Sequence, residues 1–271
     1  MPEKRPRISR EELRALLLAK GQAILQEEGL GSGAVSLTFK KVFDRVEADT
    51  GVHLTNASVI RRAWKNQADF QTDVLAAVAE DENRDEIDRT IGAVAPLLGG
   101  LDLTTVASRD TALRELCRVG GNANVDAVRE SPYWPLSIAV WAVAVFDTRP
   151  GHRQQLQSAL TDGYDAFTAR ITETYAGLIA FLGLRLREQF TMHQFAVAVE
   201  AFGEGCGLRD RVDHVDLRGI TRHTGPGGEP QEWTLFAIGF EALVRMFFEF
   251  DPDWQPPGTG EPTDNREPPI R

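Results

Sequence analysis

Residues 55–65 read Thr-Asn-Ala-Ser-Val-Ile-Arg-Arg-Ala-Trp-Lys, a short run that mixes small polar side chains with cations. At 100° per residue, Thr55, Ser58, Val59 and Arg62 share one face, flanked by Arg61 and Lys65. Ala57, Ile60 and Trp64 share the other. An arginine fork can donate to two acceptors at once, such as N7 and O6 of guanine, and Ser, Thr and Val are short enough to let a backbone approach. A helix of this kind suits the DNA major groove, although its polar side would also serve as an ordinary solvated face. Further cations, Lys4, Arg5, Arg7 and Arg10, sit in or beside a basic N-terminal arm suited to phosphates or the minor groove. Ser36 or Thr38 opens one helical stretch, and Lys65 and Gln67 flank the start of another. Such positions can offer hydroxyl, N–H and ammonium donors to phosphate.

Other chemistries find little support. The five histidines (His53, His152, His193, His214 and His223) show no i, i+4 pair and no carboxylate at ligand spacing, so no metal site is expected. Cys117 and Cys206 stand far apart in apolar contexts, which suits a reducing cytoplasm and supplies neither a zinc site nor a disulfide framework. The glycine run at 225–228 lacks a following Lys-Ser/Thr, and no Gly-x-Ser-x-Gly occurs, so neither a phosphate loop nor a hydrolase nucleophile is indicated. Neither an enzyme nor a cofactor is expected. Aromatics gather in the middle of the chain, where Tyr133, Trp134, Trp141, Tyr164 and Phe167 can wall a pocket for a small apolar effector or simply form core. Pro132 and Pro135 mark a break where a pocket mouth could form.

The elements that must position these residues are helices. Ser9 and Glu12 form a capping-box pattern ahead of Leu13, Leu16, Leu17 and Ile24, with a stop at Gly29. Phe39, Val42, Phe43 and Val46 mark a second helix ended by Gly51. Thr55 can cap a third, and Asn66 a fourth that continues through Val74, Leu75 and Val78 into the charged stretch 80–89 and towards Leu98. Further helices are expected near 109–121, 135–147, 152–188, 191–209 and 232–250, with no alternating strand. The class is therefore all-α. The expected division is a helix-turn-helix domain at 1–66, a helical effector-binding and dimerisation domain at 67–250, and a proline-rich disordered tail at 251–271.

Charge follows that division. The net charge of −10 hides a head, residues 1–66, with 12 Lys and Arg against 8 Asp and Glu. The remainder holds 18 against 32. A basic head on an acidic body suits contact with nucleic acid through one end only. No run of about 18 apolar residues is present, so no membrane span is expected, and the polar start gives no secretory signal.

The order of these elements, with Gly51-Val52, the run Asn56-Ala57-Ser58-Val59-Ile60-Arg61-Arg62-Ala63-Trp64-Lys65 and the cap Asn66, resembles the TetR family of transcription repressors across about residues 10–80. Trp64 matches that family's closing aromatic. Arg61 stands where the family has a phosphate-binding tyrosine, Ala63 where it has histidine, and the turn Val52-His53-Leu54-Thr55 is longer. The resemblance implies a ligand-responsive repressor that binds a palindromic operator as a homodimer. Stripes at Met192, Phe195, Val199, Phe202 and Cys206 and at Trp233, Phe236, Phe240, Leu243 and Phe247 are the expected dimer surface, close-packed through Gly203, Gly239 and Ala242. The alternative is a helical interaction protein that has lost operator recognition.

Overall fold

A computed structural model describes residues 8–30, 37–55, 57, 59, 62–80, 86–213 and 216–256. Among them are nine helices: α1 (Arg10–Glu28), α2 (Phe39–Thr50), α3 (Gln67–Ala79), α4 (Glu86–Leu98), α5 (Val106–Glu130), α6 (Trp134–Phe146), α7 (Pro150–Phe181), α8 (Met192–Val212) and α9 (Leu235–Phe247). Four short strands are added: β1 (Leu184–Leu186), β2 (Ile220–His223), β3 (Pro230–Trp233) and β4 (Phe248–Phe250). They form two antiparallel pairs, with Leu184 opposite Phe250 and Ile220 opposite Trp233. The fold is all-α, and strands this short staple the helical framework without building a sheet core.

Helix limits follow local chemistry. The Ser9 hydroxyl accepts from Glu12 N at 3.1 Å, and the Glu12 carboxylate accepts from Ser9 N at 2.8 Å. Thr38 caps α2, and Asn66 caps α3 by accepting from Asp69 N at 2.9 Å. Each such cap contributes about 1 kcal/mol. Gly51 ends α2 at φ +67°, a left-handed conformation that costs glycine little.

The chain divides into two compact units. The first gathers the described residues up to 84 together with 131–167; the second takes 85–130 and the residues from 168 onward. The head is thus larger than the N-terminal segment expected from sequence. The apolar residues Val74, Leu75, Val78 and Ala79 need more cover than α1 and α2 supply. Leu136, Val140 and Ala144 of α6 and Leu156, Ala159 and Leu160 of α7 complete that core. At its centre Phe39 stacks on Phe43 and Phe70, with centroids 5.5 and 5.0 Å apart, and Trp64 meets Phe70 edge-on at 4.9 Å.

In the second unit α5 runs against α4, α8 and α9. A Cβ on Gly121 would lie 2.5 Å from the Ala237 Cα, so α5 and α9 touch backbone to backbone. The two expected dimer stripes largely face inward here. Phe195, Val199, Cys206, Trp233, Phe236 and Phe247 are buried, and the Phe202 ring occupies the space beside Gly239. Two buried carboxylates are paired: Glu241 lies between Arg222 at 2.7 Å and Arg245 at 2.9 Å, and Asp210 meets Arg218 at 2.7 Å.

The beginning of the expected tail is structured. Arg109, itself buried, lies over the rings of Phe250 and Trp254 at 5.2 and 4.8 Å, and Trp254 Nε1 donates to the Ala180 carbonyl at 2.9 Å. Residues 257–271, where the rest of the expected tail falls, lie outside the described residues.

Candidate functional site: a helical head and an apolar cavity

In the head, the starts of α2 and α3 are tied together. Gln67 Oε1 accepts from Phe39 N at 3.3 Å, and Gln71 Nε2 donates to the Leu37 carbonyl at 2.7 Å. Two capped helix N-termini, at Thr38 and Asn66, therefore lie side by side, with exposed Lys65 next to the second. Partial positive charge from helix N-termini and an ammonium group make this a place where an anion is favoured.

The segment between α2 and α3 has a helical turn where sequence placed one. Val59 N donates to the Thr55 carbonyl at 3.2 Å and Ala63 N to the Val59 carbonyl at 2.7 Å. Its phase differs from the projection. Val59, expected outward, is fully buried with Ala63 and Trp64, while Ala57, expected inward, is exposed. Val52 and Leu54, in the longer turn after Gly51, are half-buried and pack on the same core. A buried Val59 cannot touch a base edge. Thr55 remains exposed. Arg62 is half-buried and donates to the Ile8 carbonyl, which fixes the root of the N-terminal arm. Ser58, Arg61 and Arg7 lie outside the described residues.

Trp64 is locked by Asp73. The Asp73 carboxylate accepts from Trp64 Nε1, from Arg14 and, at 2.6 Å, from Gln155 of α7, and the Arg14 guanidinium lies 5.1 Å over the Trp64 ring. His152 Nδ1 lies 3.0 Å from the Thr72 hydroxyl. These contacts bind the closing aromatic, α1, α3 and α7 into one body, a role for Asp73 that no local motif announces.

Most described cations of the head are already paired. Lys20 holds Asp49, Lys40 holds Asp44, Lys41 holds Glu28, Arg45 holds Glu27 and Arg14 holds Asp73. Lys65 and Arg10 have no acidic partner among the described residues. Exposed pairs of this kind are weak and open readily to a phosphate.

An apolar cavity of about 90 Å3, or about 670 Å3 with its mouth to solvent, opens in the second unit. The cavity face of α5 carries Leu113, Leu116, Cys117, Gly120, Gly121 and Asn124, opposite Tyr175 and Leu178 of α7 and Phe240 of α9. Burial pushes the Cys117 thiol and the Tyr175 hydroxyl well above their ordinary values, so both stay protonated. The five aromatics expected to wall a pocket belong to the first unit and do not line this cavity. Tyr164 packs on the core of the head, and on α6 Trp141 is 49% and Phe146 80% exposed. Sequence missed the cavity because its lining alternates among α4, α5, α7 and α9, whose residues there read as plain core.

Apolar side chains remain on the outer faces of the last two helices. Val197, Leu208 and Val212 of α8 are exposed, as are Leu235 and Met246 of α9. Among the described residues no group of acidic, histidine or cysteine side chains could hold a metal, and no helix is long and apolar enough to cross a membrane.

No protein-family model matches the chain, and no curated protein sequence is significantly similar to it. A solved structure of a proposed transcriptional regulator from Saccharomonospora viridis, in complex with choline, is similar over 88% of this chain and 99% of that chain, with 13% identity and a TM-score of 0.45.

Proposed function

We propose that this chain is a sequence-specific DNA-binding transcription regulator, a TetR-like repressor whose second unit takes a small effector. The observation that carries the reading is the head's exterior: two helix N-termini held together by Gln67, uncommitted Lys65 beside them, and a helical turn at 55–63 anchored inward by Val59, Ala63 and Trp64. Thr38, Lys65 and the arm carrying Arg7 contact phosphates, while Thr55, Ser58 and Arg61 approach bases. The exposed apolar residues of α8 and α9 pair with those of a second copy, and a homodimer of this kind reads a palindromic operator with half-sites about 34–36 Å apart. Effector in the apolar cavity favours a dimer geometry that no longer fits successive grooves, a population shift for which about 1–3 kcal/mol of coupling suffices.

Footprinting on the DNA that flanks its own gene tests this directly, and a protected palindrome is the expected result. Lys65→Ala should weaken specific and non-specific DNA alike and lower the salt slope by about one. A second reading, a helical interaction protein without an operator, is favoured by the internal pairing of Arg14, Lys20, Lys40, Lys41 and Arg45. Absence of any sequence preference in a selection from random DNA would establish it over the first.

A further inference from the structure

The walls of the cavity define what it can accept. From Leu113 to Asn124 the lining of α5 extends roughly 16 Å along the helix, at 1.5 Å per residue. No side chain that lines the cavity carries a formal charge. Cys117 and Tyr175 are held neutral by burial. The nearby carboxylate of α9, Glu241, is occupied by Arg222 and Arg245. A charged molecule entering here would give up its hydration and meet no charged side chain in the lining.

One polar side chain stands out against its neighbour. Asn122 is engaged in the framework, since its Oδ1 accepts from Thr234 N at 2.9 Å and its Nδ2 donates to the Glu232 carbonyl at 3.1 Å, which fixes the start of α9. Asn124, two residues on, lines the cavity instead and makes no side-chain hydrogen bond to any described residue. A carboxamide there offers two donors and one acceptor at one end of an otherwise hydrocarbon surface.

We propose that the cavity binds an uncharged, mostly hydrocarbon molecule with a single hydrogen-bonding oxygen, an alcohol, ketone or ester, whose polar end meets Asn124. The inference rests on the effector reading above and names the ligand class of that site. The test uses the full chain and the uncharged dye N-phenyl-1-naphthylamine, whose fluorescence rises in apolar surroundings. Three competitors share a six-carbon chain and differ only in the head: hexanol, hexanoate and hexyltrimethylammonium. Hexanol should displace the dye at concentrations at least about tenfold below either ion, because each ion must be stripped of water without a charged partner in the lining. Asn124→Leu should weaken hexanol about tenfold, the factor expected for one lost hydrogen bond, and leave the dye within about threefold.

Equal displacement by either ion overturns the uncharged class but leaves the cavity as an effector site. Unchanged hexanol affinity in Asn124→Leu overturns the role of Asn124. No dye binding by the wild-type chain, or binding that survives Leu116→Trp in a variant that still melts cooperatively, removes the cavity from the effector reading and the proposal with it.

Discussion

In the first unit aromatic rings fill the interior; in the second they border a space. Phe39 stacks on Phe43 and Phe70, Trp64 meets Phe70 edge-on, and the polar edge of Trp64 is closed by Asp73. In the second unit Tyr175 meets Phe195 at 5.2 Å and Phe240 at 5.6 Å, yet these rings leave an open cavity on their other side. Charge is used differently as well. The head keeps its ion pairs mainly on the surface, where they can exchange partners, whereas the second unit buries Glu241 and Asp210 against arginines. A rigid body with exchangeable surface charge is suited to docking on a polyanion, and a braced body with an unfilled interior is suited to taking up a small molecule.

The sharpest way to break this contrast is to empty the head. Phe70→Ala should cost about 3–5 kcal/mol, because the ring is fully buried between Phe39 and Trp64. Urea unfolding with an unchanged m-value checks it. A loss below about 1 kcal/mol would mean that the cluster can collapse and that the head is not the tightly packed partner.

The next prediction concerns the proposed DNA face. The proposed function assigns base contact to Arg61, while the Arg62 guanidinium is tied to the Ile8 carbonyl. Arg61→Ala should therefore cost about 1–3 kcal/mol of specific binding and relax one base position. Arg62→Ala, whose guanidinium serves the Ile8 carbonyl, should cost less and spread over all sequences. A gel-shift comparison of the two variants decides between this assignment and the one in which Arg62 reads a base.

That reversal shows where the sequence is legible. Caps such as Ser9, Thr38 and Asn66 act within four residues, so their side chains reveal them, and Gly51 is equally local. The class and most helices follow. The burial of Val59 and the exposure of Ala57 depend on tertiary packing around them, which periodicity cannot weigh. The stripes on α8 and α9 were real, but an apolar stripe does not say whether its partner is its own chain or another, and here Phe236 and Phe195 meet their own core. Likewise a void has no sequence signature, because Leu116 or Leu178 beside a cavity looks the same as in a packed interior.

The void itself gives a smaller prediction. Adding volume to a filled core costs about 1–3 kcal/mol, but Leu116→Phe should shift stability by less than about 1 kcal/mol, since the extra atoms have room in the cavity. Loss of dye binding in a variant that stays stable would locate the space. A large loss of stability would show that the wall at Leu116 is already full.

The smallest effect is electrostatic and lies in the head, at the end of α6. Asp147 accepts from the Arg149 guanidinium at 2.7 and 3.0 Å and from Arg149 N at 2.8 Å, and this arginine brings its carboxyl down to about 2. A carboxylate held below its ordinary value stabilises the fold while it is ionised in both states. The contribution is therefore complete above the ordinary carboxylate range and fades as pH falls from about 4 to about 2. Arg149 is more than half exposed, so water screens the pair and the whole term should stay below about 1 kcal/mol. Asp147→Asn should lower the melting temperature slightly at pH 6 and make no difference at pH 2, so the two proteins' curves converge in acid. Curves that instead run parallel from pH 6 to pH 2 would show that Asp147 supports the turn between α6 and α7 through hydrogen bonds an amide cannot replace, with its charge playing no part.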